Sequence, residues 1–586
     1  MRNARRFRSK RKRIVFFWAV LFLMVLFGCA YTFSSFAAVD YDLIVVGTDP
    51  EGVAAAVSAA RNGLEVLLVD ERSQLGGLLT LGWLNTLDMN YDPEGNLLTR
   101  GIFLEFFKKL EGVSFDVNTA RRALEEMVAA EENLQLLLER KVTGVRLNKG
   151  RVVSVMLENG EKLSAYRFID ATQDAWVAYM AGAGFTLGME DIGLDKRQAV
   201  TLIIEVGGVN WEKVVGALTS GEYAGGAYGT SAWGFLEEMK EYEPFDPQIR
   251  SRGPNMGLQN NGNVLINAMH IFGVDGLDPA SRQEALKRGE REAEFLVRFM
   301  RRRLPGFEDA YLAAVAPELY VRETRHLEGL YRLTLDDVLE HRDFWDKVAL
   351  ASYSVDIQGT DMDDWGRVMG NPALYSIPFR CLVPQDLSNL LVVGRSASYD
   401  SLAHGSARVV PAGMAVGEAA GVAAAISLES KTDFHKMSGR PDLIAELQQR
   451  LLNQGAYLVD FDVPHSLEGH PLYPAIKELR SLGLVTGRYD NDYRLDQPAE
   501  IRDICQVVEG YLKQVYRGRY TAHNLSFENR EALLEDLLWV LEGISGIELE
   551  LMGIDELLSN YNFFPGKKLL RGETFAFLLD FLSSIE

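Results

Sequence analysis

Histidine and cysteine are scarce in this chain, with 8 and 3 among 586 residues. No Cys/His spacing of the kind that holds a metal occurs, so no metal centre is expected. Cys381 and Cys505 stand in different predicted domains and Cys29 in the N-terminal segment, so the fold is expected to do without disulfides. Large cores allow that. Positive charge is also concentrated. The first 13 residues carry eight cations (Arg2, Arg5, Arg6, Arg8, Lys10, Arg11, Lys12 and Arg13) and no acid, while the whole chain has a net charge of −21. Taking those eight away from −21 leaves −29 for the remainder. Such a body excludes nucleic acid as a partner, because phosphate binding needs a basic surface. Beyond residue 40 no run is long and apolar enough to span a bilayer without Gly, Pro or charge breaks. The length points to more than one domain.

The segment 1–38 differs from the rest of the chain. Ile14 to Phe27 is an unbroken apolar run behind the cations, and residues 33–38 are small and mixed, the make-up of an export signal. Three fates are open: cleavage after Ala37 with Ser35 at the −3 position, lipidation of Cys29 behind the imperfect lipobox Leu26-Phe27-Gly28-Cys29, or retention as a membrane anchor. The expected location is the cell envelope or the exterior.

Two glycine-punctuated turns lie about 350 residues apart. At the first, Asp42-Leu43-Ile44-Val45-Val46 reads as a buried parallel strand. Gly47-Thr48-Asp49-Pro50-Glu51-Gly52 follows, then an Ala-rich helix over Val53–Asn62 ending at Gly63, and a second strand over Leu64–Val69 closed by Asp70, Glu71 and Arg72. A helix N-terminus placed there suits a pyrophosphate. Gly47 allows the tight turn, Gly52 close helix–strand packing, and Asp70 faces the adenosine ribose. Asp49 replaces the middle glycine of GxGxxG and puts a side chain where backbone should approach phosphate. Gly76, Gly77 and Thr80 come next; as a bare turn signal the glycine pair says little, and it resembles the flavoprotein loop that passes the diphosphate and ribityl chain. Residues 141–155 and 162–170 read as strands of a small meander, with Val142 near the adenine and Ala171-Thr172 at a strand end. Gln173 follows where glycine is usual.

The second turn, Leu390-Leu391-Val392-Val393-Gly394-Arg395-Ser396, leads to Pro411-Ala412-Gly413-Met414-Ala415. A nicotinamide fold has no use for such a remote second piece; an FAD fold does, because the isoalloxazine ring projects far from the adenosine. These pieces, together with Leu304-Pro305-Gly306, Val321-Arg322-Glu323-Thr324-Arg325 and Tyr375-Ser376-Ile377-Pro378-Phe379-Arg380, resemble the FAD-dependent oxidoreductases related to the fumarate reductase/succinate dehydrogenase flavoprotein class. The resemblance covers roughly residues 40–430. It implies FAD as cofactor, with Gly394, Arg395 and Ser396 near the diphosphate and ribityl chain. It also implies that Pro411, Gly413, Met414 and Ala415 begin a helix aimed at the flavin pyrimidine edge.

His404-Gly405-Ser406-Ala407-Arg408 resembles the His-Gly-x-x-Arg stretch of that class, so His404 is a candidate for proton transfer and Arg408 for holding a substrate carboxylate. Support of the flavin without chemistry is the alternative for both. Arg322, Glu323 and Arg325 form a charged knot in which the arginines, Arg325 among them, either hold substrate oxygens or make a structural ion network. His326 and His341 read as incidental. The implied reaction is two-electron oxidation or reduction of a small oxygenated or carboxylate-bearing molecule at flavin N5, with an unidentified electron donor or acceptor. A flavin-dependent net non-redox enzyme and a non-catalytic envelope scaffold are the alternatives.

The expected class is α/β: a Rossmann-like FAD-binding domain of the two-dinucleotide-fold type in two parts (39–190 and 371–430), an inserted α+β substrate domain (191–370), and a mainly helical region (440–586). Within the last, residues 461–515 resemble an S-layer homology module, with Tyr473, Ile476, Leu479, Leu482 and Leu484 on one apolar face. Its usual Thr-Arg-Ala-Glu motif is reduced to Ile501-Arg502-Asp503, and Leu570-Arg571-Gly572-Glu573 reads as a second reduced copy. The resemblance implies cell-wall polysaccharide as a candidate partner; a helical module packed on the enzyme is the alternative.

Overall fold

Strand β1 (Tyr41–Val46) is buried over its last four residues and lies parallel to two neighbours, β2 (Val66–Val69) and β6 (Lys162–Asp170). The computed structural model describes residues 39–516, 528–545, 549 and 554–585; the expected export segment 1–38 lies outside them. Strand β3 (Leu134–Leu137) extends the parallel sheet beyond β2. Burial on both faces explains why the end of β1 and all of β2 read as continuous aliphatic runs. Strands β4 (Val142–Asn148) and β5 (Arg151–Leu157) form an antiparallel meander with the first half of β6, whose second half belongs to the parallel sheet.

The returning segment joins this sheet. Strand β7 (Leu390–Val392) pairs parallel to β6, Leu390 opposite Phe168. Helix α1 (Pro50–Arg61) follows β1, with Pro in its first turn, where a missing N–H costs nothing. Helix α2 (Val410–Glu429) follows β7 and is buried almost throughout. Its length and apolarity would let it cross a membrane, but here it is the core helix of the unit. The two helices cross on glycine: a Cβ at Gly417 would lie 2.2 Å from the Glu51 carbonyl oxygen. Ser58 Oγ donates to the Glu418 carbonyl at 2.8 Å across the same contact.

A second, largely antiparallel sheet holds Val200–Thr201, Ile204–Gly207, Gly225–Tyr228, Ser231–Gly234, Ile249–Leu258, Val264–Ile271 and Tyr311–Val315. The helix Pro279–Arg303 packs on it through Ala285, Ala293, Leu296, Val297 and Met300. Asp278 caps that helix by accepting from Ala280 N, and three arginines close its last turn, where the dipole favours cations.

The cores divide the chain elsewhere than the sequence suggested. Residues 333–369 of the expected 191–370 segment, including Leu335, Val338 and Ala349, bury their side chains with α1 and α2. The helix Pro441–Asn453, expected in the C-terminal region, does the same through Leu443, Ile444, Leu447 and Leu451. Periodicity marks an apolar face but not the partner that covers it. A separate core begins at Leu467 and is built by the helices Tyr473–Ser481, Ile501–Val515, Leu534–Ser545, Ile554–Asn560 and Arg571–Ser583.

Candidate active site

A groove of about 410 Å³ opens beside the ends of β1 and β6. Of the residues expected at a cofactor, Gly47, Asp70, Glu71, Arg72, Val142, Thr172 and Arg395 line it. Asp70 ends β2 and accepts from Thr48 N at 2.6 Å, Thr48 Oγ1 at 2.8 Å and Arg72 N at 2.9 Å. Both its oxygens therefore hold the turn. Arg72 reaches across, donating to Asp49 at 2.8 Å and to Glu318 at 2.9 Å. Burial opposes its charge, but Asp49, Glu318 and Asp70 overcome that and keep the guanidinium protonated. The fully buried Asp49 also accepts from Leu78 N at 2.9 Å.

Beyond the groove lies a second cavity of about 30 Å³. The two share Leu78, Gln173, Val321 and Arg395, which form a waist between them. The waist is latched. Gln173 Nε2 donates to Glu51 Oε1 at 2.8 Å, while Arg395 donates to Asp174 at 2.6 Å and to the Val321 carbonyl at 2.5 Å. Gly394 has a φ of +79°, and a Cβ there would meet Glu51 Oε1 at 2.4 Å. The returning turn thus depends on glycine to pass the first one.

The far cavity is bounded by Val409, Val410 and Gly413 at the start of α2, and by Asp88, Tyr320, Arg322 and Arg408. Arg408 Nη1 donates to the Tyr320 hydroxyl at 2.7 Å, its Nη2 lies 3.8 Å from Asp356, and its buried Nε has no partner among the described residues. Arg322 sits 4.1 Å above the Tyr320 ring and donates only to the Ala199 carbonyl and Thr201 Oγ1. Among the described residues no carboxylate pairs with it, and burial pushes it down to about 10. Arg252 lies where the ladder slips register between Ser251 and Asn255, and its Nε is also unpartnered. Bulges of that kind re-aim a side chain. Burial pushes Asp88 up to about 6; Arg408, the Tyr353 hydroxyl and Arg252 oppose this and Asp356 reinforces it. The lining sets Arg322, Arg395 and Arg408 beside Asp49, Glu51 and Asp88, and the unpartnered Nε of Arg408 suits a small anionic group. Asp88 titrates close enough to neutrality to hold or release a proton.

Several expected positions fall elsewhere. His404 is buried, lines neither cavity, and has no partner for either ring nitrogen among the described residues. It packs edge-on to His326 at 4.8 Å. Burial, with His326, Arg408 and Arg395, holds it well below the usual range, so it stays neutral. Arg325 donates to the Asp174 carbonyl at 2.8 Å and lies 4.0 Å over the Tyr179 ring, beside Trp176 and Phe185. This is a cation–π seat beside the groove residues Asp174 and Trp176. Thr80 donates to the Leu75 carbonyl at 2.6 Å and faces a different cavity. Ser396 donates to the Gln173 carbonyl at 2.7 Å, behind the wall. Gly52 packs against Gly47 and Ala171, Gly76 and Gly77 shape the loop over Asp49, Pro50 lines the far cavity with Glu51, and Pro411, Met414 and Ala415 lie in the first turns of α2 outside both linings. Asp88, Tyr320, Tyr353 and Arg252 escaped sequence reasoning. They come from four distant segments without a shared motif; a polar Asn85–Asn90 stretch after the paired glycines was the one signal.

The donor set suits an adenine dinucleotide. Two helix N-termini and two buried arginines flank a pair of cavities in line, and Arg395 keeps a buried Nε without a partner. Two features oppose an anion. Asp49 is neutralised by Arg72; Glu51 is pushed up to about 7 by burial first and by Asp49 second, so it sheds its charge near neutrality. A space of about 30 Å³ holds a few waters. The Gln173–Glu51 contact lies at the waist between this space and the groove.

The chain belongs to the FAD dependent oxidoreductase family, whose model matches residues 42–451. Its cofactor is FAD, and it is an oxidoreductase. A curated relative, digeranylgeranylglycerophospholipid reductase of Methanocella arvoryzae, is 25% identical over 181 residues, 26% of this chain and 44% of that protein. The match therefore spans less than half of that relative's length. Similar solved structures include a geranylgeranyl bacteriochlorophyll reductase-like protein from Thermoplasma acidophilum (12% identity, 81% of this chain and 97% of that one, TM-score 0.35). Another is a p-nitrophenol 4-monooxygenase from Pseudomonas putida (11% identity, 76% and 92%, TM-score 0.34). Membership rests on the family match.

Proposed function

We propose that this is an exported FAD-dependent oxidoreductase that oxidises or reduces a small carboxylate-bearing or otherwise oxygenated molecule by two-electron transfer. The observation that carries this reading is the convergence of Arg322 and Arg408 with Asp88 on one cavity at the start of α2. FAD supplies two-electron redox chemistry at its ring N5 when bound. The residues supply the rest. Arg408, turned by Tyr320, offers its free Nε–H to a substrate oxygen. Arg322 adds positive charge from the cavity wall. Asp88 holds or releases the accompanying proton, with the Tyr353 hydroxyl fixing its carboxyl. The dipole of α2 favours negative charge at the cavity floor. Neutral His404 supports the wall behind Arg408. The relation to fumarate reductase flavoproteins belongs to this reading through His404-Gly405-Ser406-Ala407-Arg408.

Single-turnover reduction of the flavin by a panel of carboxylates and their reduced partners tests it. Arg408→Met should raise the substrate concentration needed for half-maximal rate, and Asp88→Asn should lower the limiting rate. Unchanged kinetics in both variants would overturn the assignment.

Export by residues 1–38 and wall attachment by the C-terminal helices complete the reading. The helix starts at Glu500–Ile501, Leu533–Leu534 and Leu570–Arg571 are tied together by β-bridges, and Arg571 pairs with Asp503 of the reduced motif. Co-sedimentation of the full chain with purified cell walls, and N-terminal sequencing of the protein recovered outside the cytoplasm, check these two parts.

A further inference from the structure

The family match ends at residue 451, yet a loop of the C-terminal helices reaches the catalytic half of the molecule. The short strand Asp356–Ile357, whose Asp356 pairs with Arg408, forms a hairpin with Arg367–Val368. The loop is bound to the end of that hairpin. Gly487 N donates to the Met369 carbonyl at 2.8 Å. Asn491 accepts from Asn371 N at 2.8 Å and donates to the Asn371 carbonyl at 2.7 Å. Arg488 and Asn491 both hold a positive φ, +57° and +55°, so the turn between them is tight. Tyr489 stands on that turn, 69% exposed. Partial burial, then the charges of Asp356, Arg252 and Asp88, act on its hydroxyl and hold its ionisation above the usual range. The module behind the loop is firmly seated. Arg480, 2% exposed, pairs with Asp336, and Lys477 and Tyr473 both reach Glu340.

We propose that Tyr489 is a substrate-facing residue lent to the catalytic cavity by the C-terminal module, with the loop Gly487–Arg494 as the cavity's outer wall. The proposal rests on reading the Arg322–Arg408 cavity as the substrate site. A tyrosine brings a flat apolar face and one hydroxyl, which suits a molecule anionic at one end and carbon-rich at the other. High exposure is what a wall residue shows before a ligand covers it. The module then has a second task besides any attachment: it sets what enters.

The test uses the full chain loaded with FAD and follows quenching of the bound flavin by acrylamide, which is neutral, and by iodide, which is an anion. Tyr489→Ala should raise the acrylamide quenching constant severalfold. Tyr489→Phe should match the unsubstituted chain. Asn491→Ala, which frees the loop and keeps the ring, should raise it as well and guards against a Tyr489 variant that fails to fold. Quenching unchanged in both Tyr489→Ala and Asn491→Ala overturns the proposal. If Arg408→Met leaves the ratio of iodide to acrylamide quenching unchanged, the reading of the cavity as the anion's path to the flavin falls, and the proposal falls with it.

Discussion

Glu51 occupies the first turn of α1, 6% exposed, between Asp49 and the amide of Gln173. Its carboxyl is pushed up to about 7 by burial and by Asp49, against Gln173 and Arg395. FAD brings a dianionic diphosphate, so an ionised Glu51 opposes binding. Affinity for FAD should be highest below pH 7 and fall as pH rises through it, because the site must then take up a proton. The limiting slope is about tenfold per pH unit. Glu51→Gln should flatten the profile and bind more tightly than the parent at alkaline pH; fluorescence titration across the neutral range checks it. Folding stability follows the same sign: the contribution of a raised carboxyl is present below its unfolded value and lost as pH climbs through 7. Gln173 gives a second expectation. Gln173→Gly removes the latch at the waist, so FAD should associate faster, while ADP, which needs only the 410 Å³ groove, should bind as before. Stopped-flow measurement with both nucleotides separates the outcomes.

Among elements, the crossing of α1 and α2 decides whether the two remote turns meet. Gly417→Ala would set a methyl 2.2 Å from the Glu51 carbonyl oxygen, and backbone gives way poorly. The expected cost is about 1–3 kcal/mol, read as a lowered thermal midpoint that added FAD partly restores. This level of structure was the most legible in the sequence. β1, β2 and β7 announce themselves as short aliphatic runs because both faces are buried. The meander over residues 142–157 was equally plain. What stayed hidden were associations. The helix Pro441–Asn453 shows an apolar face but not that α2 covers it. Arg325 reads as a substrate arginine in a charged knot, yet three aromatic rings from residues 176–185 claim it. His404 carries the right motif and faces the wrong way, and Asp88 carries no motif and faces the cavity.

The molecule as a whole is joined at the seam between its dinucleotide-binding part and its C-terminal helices. Arg480 is nearly fully buried there against Asp336. Arg480→Met would leave Asp336 and Glu340 with less cationic compensation, at a cost of about 3–5 kcal/mol. Calorimetry should then show the C-terminal helices melting ahead of the rest; a single unchanged transition would contradict this view of the seam. Everything about the catalytic half depends on one elongated ligand bridging the groove and the far cavity through the latched waist. The most direct measurement is to express the full chain with ample riboflavin, purify it, denature it, and identify and count the released chromophore. One FAD for each chain is the predicted result. Release of no flavin under those conditions would contradict it.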